Sequence, residues 1–117
     1  MESKEHEAAK KRIRDIARRR DHIAENEVRF ICWSGYHERA ISYYADIFVG
    51  SNRKATAIIV EIDGYKGHSS KYQTIRDTRR TEDIKNTWGD HIDVRRFTIE
   101  ELEETTDEEI EKQLGIE

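Results

Sequence analysis

The sequence predicts a single domain of the α+β class, with helices and strands in the order α-β-β-β-α-β-α. Three observations support this prediction. The chain has 117 residues, the size of one compact domain. Its apolar residues fall into short periodic segments, and glycines or polar runs separate those segments. We therefore expect one domain over residues 1–117, with a basic helix at 4–25, a core at 28–98 and an acidic helical tail at 99–117.

The composition excludes several classes of protein. Hydrophobic residues make up 35% of the chain and charged residues 39%, compared with about 25% charged residues in an average globular protein. No apolar run approaches the roughly 20 residues of a membrane-spanning helix, and the start of the chain lacks a signal-peptide apolar region. We expect an intracellular, cytoplasmic protein of a prokaryotic or viral host cell, with no membrane partner. Cys32 is the single cysteine and has no partner for a disulfide or a zinc site. We therefore expect it to be a buried residue that packs as a small apolar side chain.

Apolar spacing and capping residues place the helices. The first helix, at 4–25, carries an apolar stripe at spacings of 3, 4 and 7. A second basic helix is expected from a cap at Ser69 or Ser70 to about Asn86. Two capping boxes open the short helices of the tail, and Gly115 ends the last one. These boxes pair Thr98 with Glu101 and Thr106 with Glu109.

Four segments rich in β-branched and aromatic residues predict strands at 28–34, 41–49, 57–63 and 92–98. The run from residue 57 to residue 60 is continuously apolar, which is typical of a central strand covered on both faces. The second and third strands flank the polar loop GSNRKAT. An antiparallel hairpin is therefore expected between them.

Three carboxylates are expected to converge on this hairpin. Glu61 and Asp63 point to one side of their strand, since strand residues two apart share a face. Pairing Asp46 with Glu61 gives residue numbers that add to 107, and this register centres the turn inside the polar loop. Three unpaired carboxylates at one end of an apolar sheet need a neutralising partner, and a hard divalent cation such as Mg²⁺ or Mn²⁺ supplies one. Such a site suits phosphodiester hydrolysis. The alternative is that Asp63-Gly64 is a turn and Glu61 an exposed strand residue.

The pattern continues beyond the carboxylates and resembles a known family. The strings are ADIFV with Asp46, VEIDGYKGH with Glu61, Asp63 and His68, DTRR with Asp77 and Arg80, and VRRF with Arg96. Together they resemble the PD-(D/E)XK restriction-endonuclease-like superfamily, most closely the small domains like the very-short-patch mismatch repair endonuclease, over residues 41–98. The resemblance implies a three-layer core with a mixed sheet of about four strands. It also implies a DNA endonuclease or nickase that depends on Mg²⁺ or Mn²⁺.

The resemblance also implies roles for individual residues. Asp46, Glu61 and Asp63 are the expected metal ligands and catalytic carboxylates, and His68 is the expected general base or acid. The lysine usual in the family's E-x-K element is Asp63 here. Lys66, His68 and Arg80 are the alternatives for the missing cation. A helical glutamate that such families usually carry before the first strand has no clear equivalent in this sequence.

The charge is divided unevenly along the chain, which bears on a nucleic-acid partner. Residues 100–117 hold nine acids and one lysine, a net of −8, which leaves residues 1–99 with a net of +4. The basic helices are expected to contact phosphates, and Tyr36 and Tyr65 to stack on bases, while Trp33 is expected in the core. The predicted nucleic-acid contacts are Lys10, Lys11, Arg14, Arg18, Lys66, Arg76, Arg80 and Arg96. The alternatives are a solvated helix face and a surface ion pair between Asp77 and Arg80.

Two other functions remain open from the sequence. The first is a catalytically inactive nucleic-acid-binding module of the same fold, and the second is an interaction or inhibitor protein that uses the acidic tail. The tail could also mask the basic surface, mimic DNA or simply aid solubility, and solubility is the default expectation. RNA is not excluded as a substrate. The small core is compatible with a homodimer.

Overall fold

A mixed sheet of four strands with helices on both faces forms the centre of the molecule. The structure is a computed structural model that describes residues 3–50, 56–64 and 71–117. For residues 71–73 it describes the backbone alone. The elements are α1 (Lys4–Arg19), β1 (Ile23–Ser34), β2 (Arg39–Gly50), β3 (Ala57–Asp63), α2 (Lys71–Trp88), a 3₁₀ turn (Gly89–His91), β4 (Ile92–Thr98), α3 (Ile99–Glu104) and α4 (Asp107–Leu114).

The strands lie in the order β1-β2-β3-β4. The first three are antiparallel neighbours, and β4 runs parallel to β3. Because α2 connects β3 to β4, the parallel pair is joined by the helical crossover that such a pair requires. The predicted α+β class, with a three-layer core and a mixed four-stranded sheet, is confirmed. The tail contributes two short helices after β4.

Two apolar cores lie on opposite faces of the sheet, as the alternation of Ile59 and Val60 along β3 shows. The larger, the α1-side core, contains Ala9, Ile13, Ile16, Ala17, Ala24, Ile47, Val49, Val60, Ile62, Phe97, Ile99, Leu102, Ile110, Leu114 and Ile116. The smaller, the α2-side core, contains Phe30, Cys32, Ala45, Ile59, Ile84 and Ile92. Within the described part of the chain, no helix combines the length and the apolar composition needed to cross a membrane.

The first helix is shorter than the sequence predicted. It ends at Arg19, and the N–H groups of Arg20 and His22 both donate to the Ala17 carbonyl, closing the last turn. Asp21 then takes a left-handed backbone conformation, with φ of 61°, which redirects the chain into β1. The predicted helix over 4–25 is therefore wrong beyond Arg19. The last apolar residues of the stripe, including the buried Ala24, belong to β1 and not to a continuation of the helix.

The tail is built as the capping residues predicted. Thr98 and Thr106 each accept the backbone N–H of the residue three positions on, and Gly115 ends α4 with φ of 69°. Five apolar side chains of this segment lie in the α1-side core: Ile99, Leu102, Ile110, Leu114 and Ile116. The tail is thus an integral layer of the domain, and the default expectation of a tail that only aids solubility is wrong.

Cys32 lies in the α2-side core, as the sequence predicted. Burial raises the pKa of its thiol, which lowers the fraction of reactive thiolate. We expect Cys32 to react with Ellman's reagent roughly 100-fold more slowly in the native protein than in denaturant. The matched control is Glu109→Cys in a Cys32→Ala background, which places a thiol on the exposed side of α4. Equal native rates for the two thiols would contradict this packing.

Candidate carboxylate site

At Glu27, next to the site, the side chains of β1 switch from one face of the sheet to the other. Ala24 lies in the α1-side core and Phe30 in the α2-side core, although an even spacing along a regular strand keeps side chains on one face. Glu27 lies between them with a left-handed φ of 54°. The neighbouring strand β2 switches faces at the same position, because Ala45 lies in the α2-side core and Ile47, two residues further, lies in the α1-side core. The sheet is therefore distorted at one point of the β1–β2 pair.

Asp46 occupies the matching position on β2. The β2–β3 ladder includes Ile47 opposite Val60, a pair whose numbers add to 107, so the predicted register is confirmed. At the next step the Ile62 N–H donates to Asp46 Oδ2 at 2.7 Å. The Asp46 carboxylate therefore lies at the end of the ladder, beside Glu61.

Helix α1 brings two basic side chains to Asp46. Lys10 Nζ lies 3.7 Å from Asp46 Oδ1, and His6 Nε2 lies 3.8 Å from Asp46 Oδ2. The Lys10 side chain is only 4% exposed and also forms an ion pair with Glu27. A buried ammonium requires such partners, because its desolvation is otherwise costly.

Helix α2 brings an arginine to Glu61, whose side chain is 6% exposed. Arg80 Nη2 lies 2.7 Å from Glu61 Oε1, yet this oxygen receives no hydrogen bond. The same Nη2 donates to the carbonyl of Tyr44, and the guanidinium lies 5.0 Å from the centre of the Tyr43 ring. Glu61 is thus compensated by charge, although its contact with Arg80 lacks the geometry of a hydrogen bond.

Asp63 faces the second arginine of the site. Arg96 Nη1 lies 3.6 Å from Asp63 Oδ1 and 3.7 Å from Asp77 Oδ2. Arg95 takes the other face of β4 and donates to the Gln113 carbonyl, so the alternation on β4 places Arg96 at the site. The surface ion pair considered between Asp77 and Arg80 is replaced by these contacts of Arg96 and by the contact of Arg80 with Glu61.

Burial dominates the titration of the two β3 carboxylates. It raises the pKa of Glu61 to about 7; the neighbouring Asp46 adds to the rise and Arg80 opposes it. Burial also raises the pKa of Asp63, and Arg96 opposes that shift. The ionised form of Glu61 is therefore costly in the folded protein, even with a guanidinium beside it.

Glu61 should make the folded protein less stable as the pH rises. Its folded pKa is above its unfolded value, so the native state binds more protons between about pH 4.5 and 7. Across that window we expect wild-type stability to fall, relative to Glu61→Gln, by up to about 3 kcal/mol. Urea denaturation of both proteins over a pH series in EDTA measures this difference. A difference that stays constant from pH 4.5 to 7 would contradict the assigned environment of Glu61.

The charges of the cluster do not cancel. When every carboxylate is counted as ionised, five carboxylates meet three cations, Lys10, Arg80 and Arg96, and their formal charges sum to −2. The members are Glu27, Asp46, Glu61, Asp63 and Asp77 on the acidic side, and Lys10, Arg80 and Arg96 on the basic side. From the sequence, the three carboxylates were expected to be unpaired. This expectation is wrong, because a cation lies beside each of Asp46, Glu61 and Asp63. Among the described residues, no group of three or more histidine, cysteine or acidic side chains is arranged to hold a metal ion.

The predicted nucleic-acid contacts on α1 are mostly engaged within the protein. Lys10 is buried at the carboxylates, so its expected place on an exposed basic surface is wrong. Lys11 pairs with Asp15, Arg18 donates to the Ala24 carbonyl, and Arg14 is half-buried.

The tail engages three further arginines, two on α1 and one, Arg20, directly after it. Arg12 and Arg19 both contact Asp107, at 3.0 and 2.9 Å, and Arg20 contacts Glu111 at 2.7 Å. The acidic tail therefore covers part of the basic surface of α1, one of the alternatives that the sequence left open.

The remaining predicted residues divide into three groups. Arg80 and Arg96 lie at the carboxylates, while Arg76 lines a groove between α2 and the β1–β2 turn. Lys66, His68 and Tyr65 lie outside the described residues, as do the proposed helix caps Ser69 and Ser70. Trp33, expected in the core, is 58% exposed. This expectation is wrong because Cys32, its neighbour on β1, takes the core side and the strand alternates.

The sequence analysis missed His6, Lys10 and Glu27 as members of the site. His6 and Lys10 are four residues apart and continue the apolar stripe of Ile13 and Ala17 at helical spacing. That spacing places both on the side of α1 that packs on the sheet. A lysine on an apolar stripe is a signal for a buried cation with an acidic partner.

Comparisons of the chain with protein-family models, with curated proteins and with solved structures found no match.

Proposed function

We propose that this protein is a metal-dependent endonuclease or nickase that hydrolyses phosphodiester bonds of DNA, with Asp46, Glu61 and Asp63 as its acidic residues. The observation that carries the proposal is the position of Asp46 beside Glu61 at the end of the β2–β3 ladder, with Asp63 two residues on. This is the arrangement expected from the resemblance to the PD-(D/E)XK superfamily.

The described residues are not arranged as a metal site, but the carboxylates fit a divalent cation in charge and in the chemistry of their oxygens. The net charge of −2 in the cluster is equal and opposite to that of Mg²⁺ or Mn²⁺, and carboxylate oxygens are the ligands these ions prefer. Glu61 Oε1 lacks a hydrogen bond and is the oxygen we assign to the metal. Binding there requires the Arg80 guanidinium to move from its contact with Glu61. When bound, the cation would polarise the phosphate and lower the pKa of a water molecule.

We assign the binding of the substrate phosphate to cationic side chains of the protein. If Arg80 moved away from Glu61, its position on α2 would keep it near the site, and Arg96 lies beside Asp63. Guanidinium groups hold phosphate oxygens through paired N–H donors. Lys10, 3.7 Å from Asp46, joins Lys66, His68 and Arg80 as a candidate for the cation missing from the E-x-K element. His68 keeps its predicted role as general base or acid.

A second function is favoured by the ion pairs themselves. Because Arg80 lies 2.7 Å from Glu61 and Arg96 lies 3.6 Å from Asp63, both β3 carboxylates are compensated without a metal. An inactive nucleic-acid-binding module would retain these two ion pairs. It would bind DNA without a metal and would be indifferent to the substitution Glu61→Ala.

Cleavage of supercoiled plasmid separates the two functions. The purified protein is incubated with plasmid in Mg²⁺, in Mn²⁺ and in EDTA, and parallel reactions contain mismatched or branched DNA and an RNA. We expect nicked or linear product in either metal and none in EDTA. Intact substrates in every metal reaction, with binding that persists in EDTA, would support the inactive module instead. Cytoplasmic location and a homodimer stay predictions from the sequence.

A further inference from the structure

A groove of about 960 Å³ lies between α2 and the turn that joins β1 to β2. This volume is at the upper end of the range for ligand-binding pockets, about 300–1,000 Å³. The turn contributes Tyr36 and His37, the start of β2 contributes Arg39, and α2 contributes arginines along one side. The groove is therefore large enough for an extended ligand.

The walls of the groove are rich in positive charge. Four arginines, Arg39, Arg76, Arg79 and Arg80, line it together with two aspartates. Both aspartates already have partners within the protein: Asp83 accepts the Tyr43 hydroxyl at 2.9 Å, and Asp77 lies beside Arg96. The chemistry favours an anionic ligand.

An aromatic ring lies in the same groove. The Tyr36 side chain is 64% exposed, and the Arg79 guanidinium lies 3.7 Å from the centre of its ring. Ile75, on the preceding turn of α2, is also exposed and lines the groove. Exposed aromatic and apolar groups between arginines suit a ligand that carries flat rings as well as negative charges.

Two residues connect the groove to the carboxylate site. Arg80 lines the groove and contacts Glu61. Asp77 lines the groove and contacts Arg96, which in turn faces Asp63. A strand that lies in the groove would therefore reach the carboxylates.

We propose that this groove binds single-stranded nucleic acid, with its phosphates on the arginines of α2 and an unpaired base on the Tyr36–Arg79 pair. The proposal rests on the proposed function, for which it names unpaired strands as the substrate class. A basic groove with aromatic stacking positions is the usual means of binding single strands, because every base offers a flat face. In a duplex those faces are stacked on one another and are not available to Tyr36.

Fluorescence anisotropy with a labelled oligothymidine of about 12 nucleotides tests the proposal. A duplex of the same length is the comparison, and all titrations contain EDTA, so that binding is measured without cleavage. We expect the single strand to bind at least about tenfold more tightly than the duplex. Tyr36→Ala and Arg79→Ala should each weaken single-strand binding by about tenfold.

Matched variants separate stacking from charge. Tyr36→Phe keeps the ring and should retain binding to within about twofold, and Arg79→Lys keeps the charge without the planar group and should weaken it. Arg29→Ala removes one exposed arginine that bonds to Ser42 outside the groove, and should have less than about a twofold effect. Circular dichroism verifies that each variant is folded.

Three results would overturn the proposal: equal or tighter binding of the duplex, equal losses for Arg29→Ala and Arg79→Ala, or equal displacement of the strand by polyglutamate. The proposed function fails separately, if strand binding is retained but no metal supports cleavage. If duplex plasmid is cleaved while single strands bind no better than duplex, the nuclease stands and the strand preference is wrong.

Discussion

Asp46→Asn should reduce metal-dependent cleavage by at least about 100-fold while leaving the fold intact. Loss of a residue that merely supports a metal ligand typically costs about 10–100-fold, and Asp46 is assigned as a ligand itself. The asparagine side chain keeps an oxygen that can accept the Ile62 N–H, the bond that Asp46 accepts at 2.7 Å. The substitution therefore removes the charge opposite Lys10 and preserves the local hydrogen bond. Single-turnover nicking rates of plasmid in Mn²⁺ measure the effect.

The control for this prediction is Asp93→Asn. Asp93 is also an aspartate on a strand and pairs with a lysine, Lys85, at 2.9 Å, but it lies outside the carboxylate cluster. Nicking by this variant should remain within about twofold of wild type. If Asp46→Asn cleaves as fast as Asp93→Asn, the assignment of Asp46 to the metal is wrong, whatever the wild-type activity.

Much of the sheet could be predicted because its determinants are local. The β3 and β4 segments were placed at their observed bounds, since each is rich in β-branched or aromatic residues. The register that pairs Ile47 with Val60 was consistent with the position of the polar loop, which supported the proposed pairing of Asp46 with Glu61. Thr98 and Thr106 marked helix starts, because their hydroxyls accept a backbone N–H only three residues away. None of these inferences needed information from a distant part of the chain.

The geometry of the site depends on contacts between residues that are far apart in the sequence, and local sequence patterns do not predict such contacts. Glu27 adopts a conformation that favours glycine, so its residue type gave no warning of the face reversal. Lys10 belongs to a basic run, and the run suggested a solvent-facing surface, although the helical spacing placed this residue on the buried stripe. The spacing of Asp77 and Arg80 on one helix left an ion pair between them as an alternative. In the fold, β3 and β4 offer each of them a closer partner of opposite charge.

Deletion of the tail after Thr98 should unfold the domain. Truncation would be the direct test of an interaction protein that uses the acidic tail, but the tail supplies five side chains to the α1-side core. Truncation of one large buried side chain typically costs about 2–5 kcal/mol, and a domain is stable by only about 5–15 kcal/mol in total. The loss of five therefore exceeds the available stability. Circular dichroism should show loss of cooperative unfolding, so the truncated chain cannot report on partner binding.

The acidic charge of the tail can be tested without its core residues. Glu104→Gln, Glu108→Gln and Glu109→Gln together remove three charges at exposed positions and leave the apolar side chains and the threonine caps in place. We expect this variant to unfold cooperatively, within about 1 kcal/mol of wild type. A truncated chain that melts like wild type would show that the tail does not complete the core. If the truncation unfolds and the neutralised variant stays folded, any change in DNA binding by the latter reports on the tail's charge alone. Stronger binding would then indicate that the tail shields the arginines of α1, since fewer acids would repel the phosphates.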